Sequence, residues 1–486
     1  MFADFVYEKS AAAYEKRILL IDADDLESKT GYSEAFRQHG FEIIRYENDL
    51  RFRIDHDDAM YGDTDRLAII AGSNTYIPYD VRRRFRAFEV SVSNLFSRLD
   101  ASVIKEDKTI NYDMLSIAYK KNYEDLSTPD KTLCFRENIT SYSTVSEYLK
   151  ERFELLQLLA GTATTYKDWF QIANIKSEID LLAARHSMNI DTGSTESKFV
   201  DFVLSGFGKL SAVIDKDSPV LVSKAMDFMH DRSDKFAVIV MDGMSEFDWH
   251  IIAQSFGPMK YQKTDMFAMI PTTTSISRQC LLSGKYPSQL TEPWKQSQEK
   301  NEFIACAHKL GYTDMQIGYE RGYDAEFSAY VKCAAVIIND VDDMVHGQKQ
   351  GRLGMKNDIG VLAKQGKLAG LARRLLRHGF DVYITADHGN TPCTGTGKLM
   401  KTGVETETKS RRMIVLKDFA DKSAILAQRD MIDYPKYYLD KKYDYLICKS
   451  GQSFDAKGEG VMSHGGITLD EAVVPFIMIK GGENNG

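Results

Sequence analysis

The sequence predicts an α/β protein in three parts: an N-terminal Rossmann-like α/β domain (1–79), a mainly helical middle region (80–232) and a larger C-terminal α/β domain (233–486). Short apolar runs alternate with helical patterns in the first part, apolar residues follow helical spacing in the second, and strongly apolar runs return in the third. Strands separated by helical patterns are typical of βα units and a parallel sheet.

The composition is that of a globular protein with several domains. The chain has 486 residues, of which 43% are hydrophobic and 27% charged, enough to bury a sizeable core. Its net charge of −8 disfavours a uniformly basic nucleic-acid binder. We expect no membrane segment, because no apolar run approaches the roughly 18–20 residues needed to cross a bilayer.

The cysteines and the N-terminus predict a cytoplasmic location. Six cysteines are scattered without a CxxC pair, which favours a reducing compartment over a disulfide framework or a thiolate zinc site. The opening MFADFVYEKS lacks the basic region and apolar stretch of a secretory signal.

In the first part, the first predicted strand ends in acidic residues. Asp22, Asp24 and Asp25 follow the first strand and resemble the acidic pocket of a response-regulator receiver, but the third strand offers no phosphoacceptor. A structural Rossmann-like domain is therefore the preferred interpretation. The predicted strands are RILLIDADD (17–25), FEIIRYEN (41–48) and RLAIIAG (66–72), with a helix in SEAFRQHG (33–40).

The middle region carries a dense group of arginines at positions 82, 83, 84 and 86. A charge run is usually a solvated face, and the alternative is a surface that binds phosphate or a partner. The segments with helical spacing are DVRRRFRAFEV (80–90), SEYLKERFELLQLLAG (146–161) and SKFVDFVLSGFGKLSAVI (197–214).

In the third part, three predicted strands end in carboxylates or imidazoles. Sites in open α/β sheets form outside the carboxyl ends of strands, so these side chains should converge. Singly, each fits a turn or a structural role, but together they predict a metal site. A mixture of Asp and His suits zinc or manganese better than calcium. The residues are Asp242 in VIVMDG, Asp342 and His346 in VDDMVHG, Asp387 and His388 in ITADHGN, and His464 in MSHGG.

The predicted strands of this part are KFAVIVMDGM (235–244), DMFAMIP (265–271), CAAVIIND (333–340), FDVYITADHG (380–389) and EAVVPFIMIK (471–480), and LAGLARRLLRHG (368–379) is a predicted helix.

The segment PTTTSISRQCLLSG (271–284) places hydroxyls just before a short helical pattern. The N-terminus of a helix favours anions, and a hydroxyl bound to a metal can attack phosphorus. Simple N-capping is the alternative.

The order of these motifs, DG, P-x-x-T, D-x-x-x-H, DHG and HGG, resembles the alkaline phosphatase superfamily and most closely the PglZ domain of BREX phage-defence systems. The resemblance covers residues 235–486, and ENDLRFR (47–53) and YIPYD (76–80) are similar to the leader of such proteins. It implies an alkaline-phosphatase-like domain with a central mixed sheet and two divalent metal ions, with zinc expected and manganese or magnesium as alternatives. The C/S-x-P-x-R signature of sulfatases is absent.

The resemblance also implies roles for individual residues. Thr274 would be the nucleophile that forms a phosphothreonine intermediate, with Thr272, Thr273 and Ser275 as alternatives. Arg278 would pair with a phosphate oxygen or form a salt bridge. One metal would be held by Asp242, Thr274, Asp387 and His388, and the other by Asp342, His346 and His464, with Asp340 and Asp343 as alternatives to Asp342.

The implied function is hydrolysis of phosphoesters, with a phosphodiester of an oligonucleotide or DNA preferred over a monoester. The polar, glycine-rich segment 391–412 is a substrate loop or a surface insertion. The alternative functions are a metal-binding scaffold for protein partners in a defence complex and a receiver-like signalling protein. The cations that could favour a monoester are Arg278, Lys285, Lys401, Arg411 and Arg412.

Overall fold

The computed structural model describes residues 1–61, 66–397, 404–405, 410–417 and 422–481. The chain forms two compact units, residues 1–153 and 154–486, and the boundaries expected from the sequence, 79 and 232, stay a prediction. Among the described residues, no helix is both long and apolar enough to cross a membrane. All six cysteines are free thiols.

The first unit contains a four-stranded parallel sheet, as the sequence predicts. Its spatial order is β2-β3-β1-β4. Apolar side chains on both faces of the central strands are buried, which explains their continuous apolar runs. The strands are β1 (Arg17–Asp22), β2 (Glu42–Tyr46), β3 (Leu67–Gly72) and β4 (Arg86–Val90).

The helices of this unit are Phe2–Lys9, Leu26–Thr30, Ser33–Gln38, Asp49–Tyr61, Tyr79–Arg82, Val92–Leu95, Ala101–Glu106, Tyr112–Lys121 and Pro129–Ile139, and the helix Tyr142–Thr162 runs across the division between the units.

The acidic residues after β1 have structural partners. Asp22 accepts hydrogen bonds from the backbone N–H groups of Leu26 and Glu27 at 2.8 and 2.7 Å, at the start of a helix. Asp24 pairs with Lys105 at 2.7 Å. These contacts support the structural interpretation of the acids over a phosphoacceptor pocket.

The helical interpretation of DVRRRFRAFEV is wrong for most of its length. Only Tyr79–Arg82 is helical there, and Arg86–Val90 forms β4, which pairs in parallel with β1. Backbone pairing along the edge of the sheet outweighs the helical spacing, because the apolar side chains of Val81 and Phe85 reach the core equally well from a turn and a strand.

The second unit is built around a seven-stranded mixed sheet. The spatial order is β5-β7-β18-β10-β6-β9-β8, and β18 alone in this sheet runs antiparallel to its neighbours. Two smaller sheets contain the other described strands of this unit, in the orders β16-β11-β17 and β12-β13-β15-β14.

The strands of all three sheets are β5 (Val220–Leu221), β6 (Phe236–Met241), β7 (Gln262–Phe267), β8 (Ile317–Arg321), β9 (Cys333–Ile338), β10 (Asp381–Thr385), β11 (Thr391–Gly395), β12 (Val404–Glu405), β13 (Met413–Lys417), β14 (Met431–Asp433), β15 (Tyr443–Cys448), β16 (Gln452–Ser453), β17 (Gly460–Ser463) and β18 (Val473–Ile479).

Helices lie between these strands. The described α-helices are Tyr166–Arg185, Gly193–Gly206, Ala225–His230, Glu246–Ile252, Thr274–Ser283, Glu299–Lys309, Asp340–Gly347, Gly351–Gln365, Lys367–Arg377, Lys422–Gln428 and Leu469–Ala472.

Three neighbouring strands, β10, β6 and β9, position most of the predicted metal ligands. They run parallel to one another, so their carboxyl ends lie along one edge of the sheet. The side chains of β6 are entirely buried, and each such aliphatic side chain contributes about 1.5–3 kcal/mol to stability. The predicted ligands therefore lie directly after strands that are fixed in the core.

A smaller sheet positions His464. Its order is β16-β11-β17, and the register of the antiparallel pair places Thr391 of β11 opposite Ser463 of β17. Because β11 follows the DHGN motif directly and His464 follows β17, this pairing brings the HGG motif beside the ends of β10 and β6.

Candidate metal centre

The first group of metal-ligand side chains consists of Asp242, Asp387 and His388. All three are buried, and one ligand atom of each lies within 4.8 Å of the others. Nε2 of His388 is 3.7 Å from Oδ1 of Asp242 and 3.8 Å from Oδ2 of Asp387. We call these three residues the first triad.

Backbone contacts fix the orientation of the first triad. The Nδ1 atom of His388 lies 3.0 Å from the carbonyl oxygen of Gly389, which leaves Nε2 facing the carboxylates. Oδ1 of Asp387 accepts hydrogen bonds from the N–H groups of Gly243 and His388 at 3.2 and 3.1 Å. Gly243 has φ +75°, a conformation that favours glycine directly after Asp242.

Electrostatics in the first triad favour a bound cation. Oδ2 of Asp387 is buried and has no hydrogen-bond partner among the described residues. Burial and the adjacent charge of Asp242 raise the pKa of Asp387 well above its usual range. A cation placed there would supply the missing partner of this carboxylate.

The second group, Asp342, His346 and His464, is the second triad. Nε2 of His346 is 3.2 Å from Oδ2 of Asp342, and Nε2 of His464 is 3.4 Å from Oδ1 of the same carboxylate. Asp342 and His346 lie four residues apart in the helix Asp340–Gly347, so they share one face, while Val341 and Val345 are buried.

The charges of the second triad are also unusual. Burial alone would raise the pKa of Asp342. The hydrogen bond with His346 and the charges of His464 and His388 outweigh burial, so the pKa of Asp342 lies well below its usual range. Burial and the proximity of His388 lower the pKa of His464 to about 4. The hydrogen bond with Asp342 raises the pKa of His346.

The two triads adjoin each other. The rings of His388 and His464 are stacked with centroids 4.2 Å apart and planes at 11°. Nδ1 of His464 lies 3.0 Å from the carbonyl oxygen of Thr272, which again leaves Nε2 facing a carboxylate. In proteins, metal-binding histidines commonly donate their second N–H to a carbonyl in this way.

The hydroxyl of Thr274 lies at the first triad. Its Oγ1 is 3.0 Å from Nε2 of His388 and 3.3 Å from Oδ1 of Asp242. Thr274 is the first residue of the helix Thr274–Ser283 and is partly exposed. The hydroxyl therefore lies where the N–H groups of a helix start favour an anion.

The neighbouring hydroxyls are placed differently. Oγ1 of Thr272 accepts a hydrogen bond from the N–H of Gly465 and donates to the carbonyl of Gly466, both at 3.0 Å, and so holds the HGG motif. Oγ1 of Thr273 is buried and has no hydrogen-bond partner among the described residues. Ser275 is partly exposed.

Arg278 is fully buried and forms ion pairs. Its Nη1 donates to Oδ2 of Asp242 at 2.5 Å, and its Nε donates to Glu299 at 2.6 Å. Of the two alternatives left open by the sequence, the structure contains the salt bridge. Sequence reasoning missed Glu299, which also accepts hydrogen bonds from Tyr319 and Arg321, because it lies in the polar run QSQEK, which carries no local signal.

The remaining predicted residues also have definite positions. Asp340 accepts a hydrogen bond from Tyr323 at 3.1 Å and Asp343 is exposed, so neither belongs to the second triad. Lys285 pairs with Glu302 at 2.7 Å, and the buried Arg412 pairs with Glu471 at 2.9 Å.

Arg411 is a predicted cation whose side chain is partly exposed and whose charge acts on the second triad. Its Nη1 is 3.4 Å from Asp455, and its charge lowers the pKa of His346, although the hydrogen bond with Asp342 outweighs it. The adjacent Ser410 packs against Gly465. Lys401, and most of the predicted substrate loop between residues 398 and 409, lie outside the described residues.

The donor set fits divalent metal ions. Each triad offers carboxylate oxygens and imidazole nitrogens that face one another, with no cysteine among them. Oδ1 of Asp342 and Oδ2 of Asp387 are buried acceptors without hydrogen-bond partners among the described residues. Such mixed oxygen and nitrogen ligands suit zinc and manganese.

The family model described as "BREX system PglZ alkaline phosphatase-like domain" matches residues 220–479, more than half of the chain. No curated protein matches the sequence.

Solved structures to which the chain is similar include murine and human ectonucleotide pyrophosphatase/phosphodiesterase 5 and phosphonoacetate hydrolase from Sinorhizobium meliloti in complex with phosphonoformate. The murine protein is 12% identical with a TM-score of 0.36, the human protein 13% with 0.36, and the hydrolase 13% with 0.32. Each alignment covers 51% of this chain, with 88% of both phosphodiesterase chains and 90% of the hydrolase chain.

Proposed function

Because this chain belongs to the PglZ family of alkaline phosphatase-like domains, we propose that it is a two-metal phosphoester hydrolase with Thr274 as its nucleophile. Membership of the family makes it a phosphoesterase-type member of the alkaline phosphatase superfamily. The threonine nucleophile, the substrate and the defence role are our proposal.

The observation that carries the proposal is the position of Thr274 beside two triads of metal-ligand side chains. Its Oγ1 contacts His388 and Asp242 of the first triad, and His464 of the second triad stacks on His388. Thr274 is partly exposed, whereas the three residues of the first triad behind it are buried. This arrangement suits in-line attack on a phosphorus atom held in front of the hydroxyl.

The chain's own residues prepare this attack. The triads Asp242, Asp387, His388 and Asp342, His346, His464 would hold two divalent ions, which supply Lewis-acid stabilisation of the phosphoryl oxygens when bound. The oxygen of Thr274 forms the new bond to phosphorus as the bond to the leaving oxygen breaks. Its proton passes to solvent, which the partly exposed Thr274 reaches, because Nε2 of His388 and the carboxylate of Asp242 would be engaged as ligands. Water then hydrolyses the phosphothreonine and regenerates the hydroxyl.

The small amount of unpaired positive charge among the candidate cations supports a diester substrate over a monoester. A monoester carries more negative charge at phosphorus and calls for more cations. All four candidate cations that the structure describes are paired with a carboxylate, so little positive charge remains for the additional negative charge of a monoester; they are Arg278, Lys285, Arg411 and Arg412. We therefore propose cleavage of nucleotide or oligonucleotide diesters in the cytoplasm as part of a phage-defence system, with zinc in both sites.

The test is turnover of a chromogenic phosphodiester and its matching monoester with zinc or manganese. We expect Thr274→Ala to lower kcat by at least about a thousandfold while the bound metal stays nearly unchanged. The matched control is Ser275→Ala, which removes the next hydroxyl in the same helix and should keep full activity. Full turnover by Thr274→Ala would disprove the assignment of the nucleophile.

The same assay separates the hydrolase from a scaffold. The substrates to test are a nucleotide diester, a cyclic dinucleotide, single-stranded DNA and a monoester. If the purified wild-type chain binds two equivalents of metal but hydrolyses none of them, the chain is better explained as a metal-binding scaffold for protein partners. Trapping of phosphate on Thr274, detected by mass spectrometry after an acid quench, would support the covalent step directly.

A further inference from the structure

An aromatic and basic surface lies on the first unit, in the segment that follows β3. Tyr76 and Tyr79 are 79% and 77% exposed, which is unusual for large aromatic side chains. Arg82 and Arg83 are exposed on the same segment. We call these four residues the Tyr–Arg surface.

The local fold explains why these side chains face solvent. Val81 and Phe85 are buried in the hydrophobic core of the unit, and Ile77 packs against it. Since the helix Tyr79–Arg82 directs Val81 inward, Tyr79 and the residues three and four positions later, Arg82 and Arg83, lie on its outer side.

An ion-pair network holds the segment in place. Nη2 of Arg53 donates to both carboxylate oxygens of Asp80 at 3.1 and 2.9 Å, and Nε of Arg53 contacts Asp49 at 2.8 Å. The motif ENDLRFR is thereby tied to YIPYD. The contact with Arg53 neutralises Asp80, the acid nearest in sequence to the exposed arginines.

The arginines of the surface keep their charge available. Arg82 and Arg83 have no carboxylate partner among the described residues, whereas Arg86 pairs with Glu15 at 2.8 Å. Two exposed guanidinium groups and two exposed rings on one short segment combine the groups that contact phosphates with the groups on which bases stack.

We propose that the Tyr–Arg surface binds single-stranded nucleic acid. The rings of Tyr76 and Tyr79 stack on unpaired bases, and Arg82 and Arg83 contact the phosphates. The surface follows the carboxyl end of a strand in a parallel sheet, where open α/β sheets commonly bind ligands. The binding needs no sequence preference, because every base has a face on which to stack.

The test is fluorescence anisotropy of the full-length chain with a labelled strand of about 20 thymidylates, longer than the roughly 4–16 nucleotides that such surfaces cover. EDTA is present, so that neither metal triad nor hydrolysis contributes. Failure of this proposal is therefore distinguishable from failure of the proposed hydrolase, which is measured separately by turnover. We expect wild-type binding to weaken with salt and a duplex of equal length to bind less well.

Two sets of variants examine the two kinds of contact. Arg82→Glu with Arg83→Glu should weaken binding about tenfold or more and reduce the slope of log K against log salt by about 1.4, which is roughly 0.7 for each lost phosphate contact. Tyr76→Ala with Tyr79→Ala should weaken binding at least about fivefold. Tyr76→Phe with Tyr79→Phe keeps both rings and should bind as the wild type does.

The matched control on the same unit is Tyr14→Ala with Lys108→Glu, two exposed residues outside the Tyr–Arg surface. All variants should unfold at the wild-type temperature, because the substituted side chains are exposed. If the wild type does not bind the strand, or if the variants of the surface bind as well as the control, the proposal is overturned, and a protein partner becomes the better explanation of the surface.

Discussion

Nη1 of Arg278 donates a hydrogen bond to Oδ2 of Asp242 at 2.5 Å, and both side chains are buried. The same guanidinium lies 3.9 Å from Asp387, and its Nε bonds to Glu299. Arg278 thus compensates the negative charge that gathers behind the first triad. Its charge holds Asp242 in place with one carboxylate oxygen bound and the other facing Thr274.

Substitution of Arg278 should destabilise the metal-free protein more than the zinc-bound protein. Arg278→Met leaves the buried carboxylates of Asp242 and Asp387 without their cation, whereas Glu299 keeps its contact with Arg321. Breaking a buried pair in this way typically costs about 3–5 kcal/mol. Zinc should recover part of that loss, because it supplies positive charge at the same carboxylates. Urea unfolding with EDTA and with zinc measures both effects. The control is Arg373→Met, an exposed arginine, with an expected change below about 1 kcal/mol. An equal loss with and without metal would contradict the prediction.

Metal stoichiometry should depend on Asp342. Its carboxylate contacts both histidines of the second triad, so Asp342→Asn should reduce bound metal from two equivalents to one while the first triad stays intact. The exposed neighbour Asp343 provides the control, and Asp343→Asn should keep two equivalents. Elemental analysis after gel filtration gives the count. Two equivalents in Asp342→Asn would show that this carboxylate is not a required ligand.

The glycine of the DHG motif should tolerate no side chain. A Cβ on Gly389 would lie 1.9 Å from the carbonyl oxygen of Asp470, so the backbone beside His388 would have to move. We expect Gly389→Ala to lower the free energy of unfolding by about 2–4 kcal/mol and to weaken metal binding. The control is Gly360→Ala in the helix Gly351–Gln365, where a Cβ meets nothing within 4 Å. That variant should be up to about 1 kcal/mol more stable.

His250 should make the protein less stable in mild acid. Burial and, to a smaller extent, the charge of Lys263 lower its pKa to about 4, although Asp265 opposes the shift. Glu246 also faces the ring, 3.9 Å away. The unfolded chain binds the proton near pH 6.5. Stability is therefore fully present above about pH 6.5 and falls as the pH drops toward 4, by up to about 3 kcal/mol.

The variant His250→Gln isolates this effect. The difference in unfolding free energy between wild type and variant, measured by urea titration in EDTA at several pH values, should shift in favour of the variant as the pH falls from 7 to 4. Parallel curves for the two proteins would show that His250 does not cause the pH dependence.

Local pattern alone predicted much of the fold. The buried strands of the second unit, such as β6 and β10, are continuous apolar runs too short for helices, and Gly379 correctly marks the end of a helix with its φ of +79°. The edge strand β4 was misread, because charged residues at helical spacing on an edge carry no signal of the backbone pairing that defines a strand. The short β8 was missed as well, since two of its five residues, Glu320 and Arg321, are charged.

By itself, the sequence determined the types and the order of the ligands, because Asp and His placed directly after apolar strands predict a site at the carboxyl edge of a sheet. Only the tertiary structure decided which of them meet. The adjacency of β10 and β6 forms the first triad, and β9 leads into the helix that carries Asp342 and His346. The pairing of β11 with β17 brings His464 to Asp342. The tertiary structure also decided that Arg278 is bound by Asp242 and Glu299. Such choices depend on contacts between residues far apart in the chain, and no local pattern of residues contains them.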